Sequence, residues 1–130
     1  MTQYPNDLKY TPEHEWVRIE QDTVCVGITQ YAVEQLGDVT LVDLPAVGTS
    51  LQAGARFGDI ESVKTVSELF APVAGEVIEV NQGLETTPEL VNADPYTEGW
   101  MIRIRPLQAN ATDSLMNAEA YSDLVRKLEP

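Results

Sequence analysis

Basic residues are scarce in this 130-residue chain. Eight Lys plus Arg stand against 21 Asp plus Glu, a formal charge of −13. Nucleic-acid binding needs a basic stripe to displace counterions, so that class is excluded. The same deficit argues against anionic membrane surfaces. Cysteine is rarer still. Cys25 stands alone, which rules out an internal disulfide framework and a multi-cysteine zinc site. Histidine is represented only by His14, so no three-histidine metal centre can form. No run approaches the roughly 18 apolar residues of a membrane span, and the polar N-terminus reads neither as a signal nor as a transit peptide.

What is present suffices for a core, since 43% of the chain is hydrophobic. Its length suits one domain over residues 1–130, with residues 1–8 as an N-terminal arm. Short β-rich runs dominate. Residues 15–20 and 24–28 flank a polar turn at Gln21 and Asp22 and read as a hairpin. Thr29 is placed as an N-cap, followed by about two helical turns that stop at Gly37. Residues 39–44 form another strand, closed by Pro45. Residues 57–70 carry apolar residues three apart, but Gly58 and the β-branched Ile60, Val63, Thr65 and Val66 favour two strands meeting near Val63 and Lys64. Gly75–Val80 and residues 100–104 complete the β set, and a glycine–strand echo links residues 54–60 to 75–80. Residues 81–99 read as a loop with one helical turn after Pro88. Asn117 caps a final amphipathic helix with Arg126 and Lys127 in its last turn. The expected class is mainly β, with no strand–helix–strand rhythm to suggest a parallel sheet.

Three lysines exist, and only Lys64 lies in the middle of the β region. At a hairpin tip it is either an ordinary exposed turn lysine or an amine presented to a modifying enzyme. His14 is a ligand, a base or a packed polar residue beside Trp16. Trp16, Trp100 and Tyr96 suit core or cleft wall, Cys25 suits the core, and Gly75 suits a tight turn.

The segments KYTPEHEWV (9–17), VGIT (26–29), LGD (36–38), ESVK (61–64), GEVIEVN (75–81), ELVN (89–92), DPY (94–96), GW (99–100) and AEAY (118–121) occur in order over about nine-tenths of the chain. Together they resemble the H protein of the glycine cleavage system. Biotin carriers typically flank their lysine with methionines, and lipoyl domains of 2-oxoacid dehydrogenases typically precede it with aspartate. Here the neighbours are Val63 and Thr65, the latter a departure from the usual alanine. The resemblance implies a barrel-sandwich hybrid with a short inserted helix and a C-terminal helix. It implies lipoate in amide linkage on Lys64 and a carrier rather than an enzyme. The carrier would shuttle the aminomethyl group of glycine from a pyridoxal-phosphate glycine decarboxylase to a folate-dependent aminomethyltransferase, with dihydrolipoyl dehydrogenase restoring the disulfide. A lipoate ligase or octanoyltransferase would load it, reading Glu61, Val63 and Thr65. Glu15, Glu68 and His14 would line the cleft for the loaded arm, Glu68 replacing a frequent aspartate. A monomer in a bacterial cytoplasm is expected, and a matured mitochondrial protein fits the same sequence. Two other readings stay open: a lipoyl or octanoyl relay to 2-oxoacid dehydrogenase domains, and an enzyme using Glu13 and Glu15 as paired carboxylates.

Overall fold

The computed structural model describes residues 4–128. Nine strands and four helices follow in the order β1 (Lys9–Tyr10), β2 (Glu15–Glu20), β3 (Thr23–Ile28), α1 (Gln30–Leu36), β4 (Val39–Asp43), β5 (Ser50–Leu51), β6 (Arg56–Ser62), β7 (Val66–Phe70), β8 (Gly75–Val80), α2 (Gly83–Thr86), α3 (Leu90–Ala93), β9 (Ile102–Pro106) and α4 (Ala118–Leu128). A six-stranded sheet runs β1-β2-β3-β9-β8-β5, and a three-stranded sheet runs β4-β6-β7. Every pairing is antiparallel. Irregularities in register interrupt β4–β6, β6–β7 and β8–β9. Such bulges raise local twist, which curls the sheets around a shared interior without closing a barrel.

Period-two alternation sorts the β2–β3 hairpin into two cores. Val17, Val24, Val26 and Ile28 join the large cluster between the sheets. Trp16 and Cys25 point to the other face and meet Ala118, Tyr121 and Val125 of α4. The 118, 121, 125 spacing is one helical stripe, so α4 covers what would otherwise be an apolar sheet face. Tyr10 stacks on Tyr121 with ring centroids 4.7 Å apart. Residues 4–8 of the arm expected at the N-terminus lie against this cluster, with Tyr4 and Leu8 buried; its first three residues, like 129–130 of the expected domain, fall outside the described range.

The β2–β3 hairpin, the α1 caps and the β6–β7 hairpin fall where the sequence puts them. Thr29 Oγ1 accepts from Ala32 N, and Gly37 ends α1 at φ 78°. Asn117 Oδ1 accepts from Ala120 N. Four readings need correction. Residues 81–99 hold two helical turns, α2 and α3, rather than one. The last strand starts two residues later, at Ile102. The two-residue strands β1 and β5 carry too few residues to show a pattern. Gly75 serves no turn: it sits in β8, where a Cβ would lie 2.3 Å from the Arg105 carbonyl oxygen. Close backbone approach, not a special φ, is what it permits.

Candidate functional site

The β6–β7 register pairs Glu61 with Val66, leaving Ser62 to Thr65 as the turn. Ser62 N–H donates to the Thr65 carbonyl at 2.8 Å. Ser62 Oγ accepts from Thr65 N at 3.2 Å and Lys64 N at 3.4 Å, so one short side chain closes the loop. Neither Val63 nor Lys64 has a positive φ, so the tip needs no glycine. Val63 is 71% exposed and Lys64 is exposed. Among the described residues no hydrogen bond or ion pair engages Lys64 Nζ.

The tip rests on a platform. Val63 N–H donates to the Asp38 carbonyl at 3.0 Å. A methyl group on Gly37 would lie 3.4 Å from Lys64 Cε, so the lysine stem crosses the turn that ends α1. Asn92 of α3 brackets that turn. Its Nδ2 donates to the Gly37 carbonyl at 2.8 Å, and its Oδ1 accepts from Val39 N at 2.9 Å.

Beside the hairpin opens a cleft of about 200 Å³. Glu13, His14, Glu15, Gln35, Thr65, Ser67 and Glu68 supply its polar lining, with Ile28, Leu36 and Ile60 among the apolar residues. The resemblance implied one cleft for His14, Glu15 and Glu68, and all three lie in this lining. Their environments differ sharply. Glu15 is 2% exposed. Its Oε1 accepts from Thr11 Oγ1 at 2.6 Å, and its Oε2 accepts from Phe70 N at 3.3 Å. Burial pushes its carboxyl up to about 7 despite the opposing pull of those two bonds. Glu15 thus ties β2 and the N-terminal loop to the end of β7.

Glu68 is exposed and lies 3.7 Å from Arg56 Nε. Asp43, Asp59 and Glu68 pair across the three strands in one row. Arg56 sits against this row and forms two bonds to Asp59, at 2.9 and 2.5 Å. The guanidinium holds the Asp59 carboxyl below its usual range.

His14 adopts φ 74°, a left-handed conformation in the tight bend between Thr11 and β2. Its Nδ1 lies 2.8 Å from Tyr121 Oη, which is also 2.7 Å from Thr29 Oγ1. Burial lowers its pKa. It is therefore fastened to α4 and to the α1 cap. No group of three His, Cys, Asp or Glu able to hold a metal occurs among the described residues. Of the remaining residues expected near the lysine, Glu61 lies in β6 between Leu41 and Val66, and Thr65 closes the turn.

Sequence reading missed Thr11, Gln35 and Asn92. Thr11 stands four residues before Glu15, but only the bend at His14 turns that interval into a contact. Asn92 gives no local sign, because its partners lie 53 and 55 positions away. A larger hollow of about 380 Å³, lined by Ile19, Thr23, Arg105 and Gln108 among others, shares no residue with the cleft.

Comparison with known proteins bears on the family and the fold. The family model described as Glycine cleavage H-protein matches residues 8–128. A glycine cleavage system H protein of Bacteroides thetaiotaomicron is 57% identical over 122 residues, covering 94% of this chain and 97% of its own. One from Halalkalibacterium halodurans is 50% identical over 125 residues, covering 96% and 98%. The crystal structure of a glycine cleavage system H protein from Mycobacterium marinum superposes with a TM-score of 0.88 at 40% identity, over 95% of this chain and 99% of that one. With a family model spanning nearly its whole length and relatives at this identity, the chain belongs to the glycine cleavage H-protein family.

Proposed function

We propose that this protein is a lipoyl carrier of glycine cleavage, bearing lipoate on Lys64 and taking the aminomethyl group of glycine from a pyridoxal-phosphate decarboxylase to a folate-dependent aminomethyltransferase. The observation that carries this reading is an unpaired primary amine at the apex of a braced β-turn, next to a cleft with carboxylates. In the loading step Lys64 Nζ, once deprotonated, attacks the carboxyl carbon of lipoate activated with ATP. The amide C–N bond forms, the activating group leaves with its electron pair, and the lysine loses its charge. When bound, the dithiolane supplies a sulfur that accepts the aminomethyl group and a thiol pair that is later reoxidised.

The residues fit that group. Ile28, Leu36 and Ile60 give the cleft an apolar wall suited to a dithiolane. Glu15 lies in the lining and Glu68 at the exposed side, where carboxylates can hold a cationic cargo by charge-assisted hydrogen bonds. Glu15 has its oxygens already engaged, so it receives a cation by rebalancing Thr11 and Phe70 rather than as a free group. His14, locked to Tyr121, shapes the wall. Around the lysine, Val63, Val66 and Leu41 are exposed. Leu41 and Val66 both pair with Glu61, which forms a small apolar surface with one acid for a loading enzyme to read together with Thr65. A charge of −13 suits brief, electrostatically steered encounters with successive partners, the decarboxylase, the aminomethyltransferase and a dihydrolipoyl dehydrogenase.

The test combines intact mass with reconstitution. Incubation with lipoate ligase, lipoate and ATP should add one lipoyl amide to the wild-type protein and none to Lys64→Arg, with both folded alike by circular dichroism. Glycine cleavage with the partner enzymes should require Lys64. Full activity in Lys64→Arg would overturn the assignment.

A further inference from the structure

We infer that Asn92 is a positioning residue for the modification of Lys64, acting through the turn at Gly37 and Asp38. This rests on the carrier reading above and adds to it how the amine is presented. Two of the three hydrogen bonds that define the platform run through the Asn92 amide, to the Gly37 carbonyl and from the Val39 N–H. These flank Asp38, whose carbonyl accepts the Val63 N–H and so anchors the hairpin tip outside its own turn. Gly37 has a positive φ of 78°, which favours glycine at the end of α1, and the lysine stem lies beside this turn. Val91, fully buried beside Asn92, fixes α3 in the core. The connection from core to amine is therefore Val91, Asn92, the 37–39 turn, Val63, Lys64.

The physical consequence is a narrowed search. A lysine on a free turn samples many rotamers and tip orientations, and an enzyme must freeze them to align Nζ with an activated carboxyl. A tip tied to the body reduces that cost before the encounter. Losing the Asn92 amide leaves one carbonyl and one N–H of the turn without a protein partner and frees Asp38 to move.

Two variants separate positioning from general stability. Asn92→Ala removes both bonds of the bracket. Val63→Pro removes the N–H that reaches Asp38, proline suits the second position of a β-turn, and the control Val63→Ala, which keeps that N–H, gives the share of any loss that belongs to the exposed valine side chain. In unmodified protein, hydrogen exchange at the Val63 amide should rise about five- to tenfold in Asn92→Ala, the factor for one net hydrogen bond. Exchange at Val17 and Val26 should stay unchanged. The kcat/KM for lipoylation by ligase with lipoate and ATP should fall about five- to tenfold in each variant, and the double variant should be no worse than Val63→Pro. Unchanged Val63 exchange, raised exchange with unchanged lipoylation, or fully additive losses would each overturn the inference. A wild-type protein that the ligase leaves unacylated would count against the carrier reading instead, and the exchange measurement would still decide the platform.

Discussion

Replacing Glu15 with glutamine tests the least ordinary group in the cleft. A carboxyl held up to about 7 by burial binds a proton in the folded state over a range where the unfolded chain, with its ordinary value of 4.5, does not. Folding therefore takes up a proton between those values, and stability from this group falls as pH rises. At about 1.4 kcal/mol per pH unit, the interval from 4.5 to about 7 amounts to about 3 kcal/mol. Glutamine has nearly the same shape and does not titrate. Its oxygen can still accept from Phe70 N, and its amide can donate to Thr11 Oγ1, which also accepts from Glu15 N. The variant should lie near the wild type at pH 4.5 and become more stable by about 3 kcal/mol at pH 8, or about 10 °C in Tm for a chain of this size. Urea unfolding at half-unit pH steps, read as the difference between the two proteins, cancels the titrations they share. A difference that stays flat across this range would refute the claim that burial dominates the Glu15 environment.

If the protein carries a cationic cargo as proposed, the same carboxyl should make its retention depend on pH. Only the ionised form attracts it, so retention in the loaded protein should rise about tenfold from pH 6 to pH 8, and Glu15→Gln should abolish the dependence; the lifetime of the loaded form, measured by mass, checks this. His14, whose pKa burial lowers, contributes stability above 6.5 that is lost as pH falls further. His14→Asn should keep the left-handed bend and remove that acid loss, whereas His14→Val should cost about 1–3 kcal/mol at every pH, as measured by thermal unfolding. Gly58→Ala should destabilise by about 2–4 kcal/mol, because its Cβ would lie 2.1 Å from the Asp43 carbonyl oxygen; near-wild-type urea stability would contradict that close approach.

Local chemistry made much of the fold readable. Thr29 and Gly37 announce the ends of α1 because a cap hydroxyl and a left-handed glycine act within one turn of chain. The β6–β7 hairpin is legible because β-branched residues outweigh a spacing of three that also fits a helix. His14, Glu15 and Glu68 entered as cleft residues through resemblance and do share one lining, while the apolar residues beside them came only from the structure. Short pieces escaped. The strands β1 and β5 are two residues each and α2 is a single turn, whereas α3 is the turn expected after Pro88.

The sequence by itself determined the β-rich class, the acidity and the place of Lys64 at the tip of the β6–β7 hairpin, since composition, periodicity and turn chemistry act over a few residues. Tertiary structure decided what surrounds that amine. It buried Glu15 while leaving Glu68 in solvent, fastened His14 to a helix more than 100 residues away, and set Asn92 beneath the hairpin. Desolvation and long-range hydrogen bonds depend on which segments the folded chain brings together, and no local pattern encodes them.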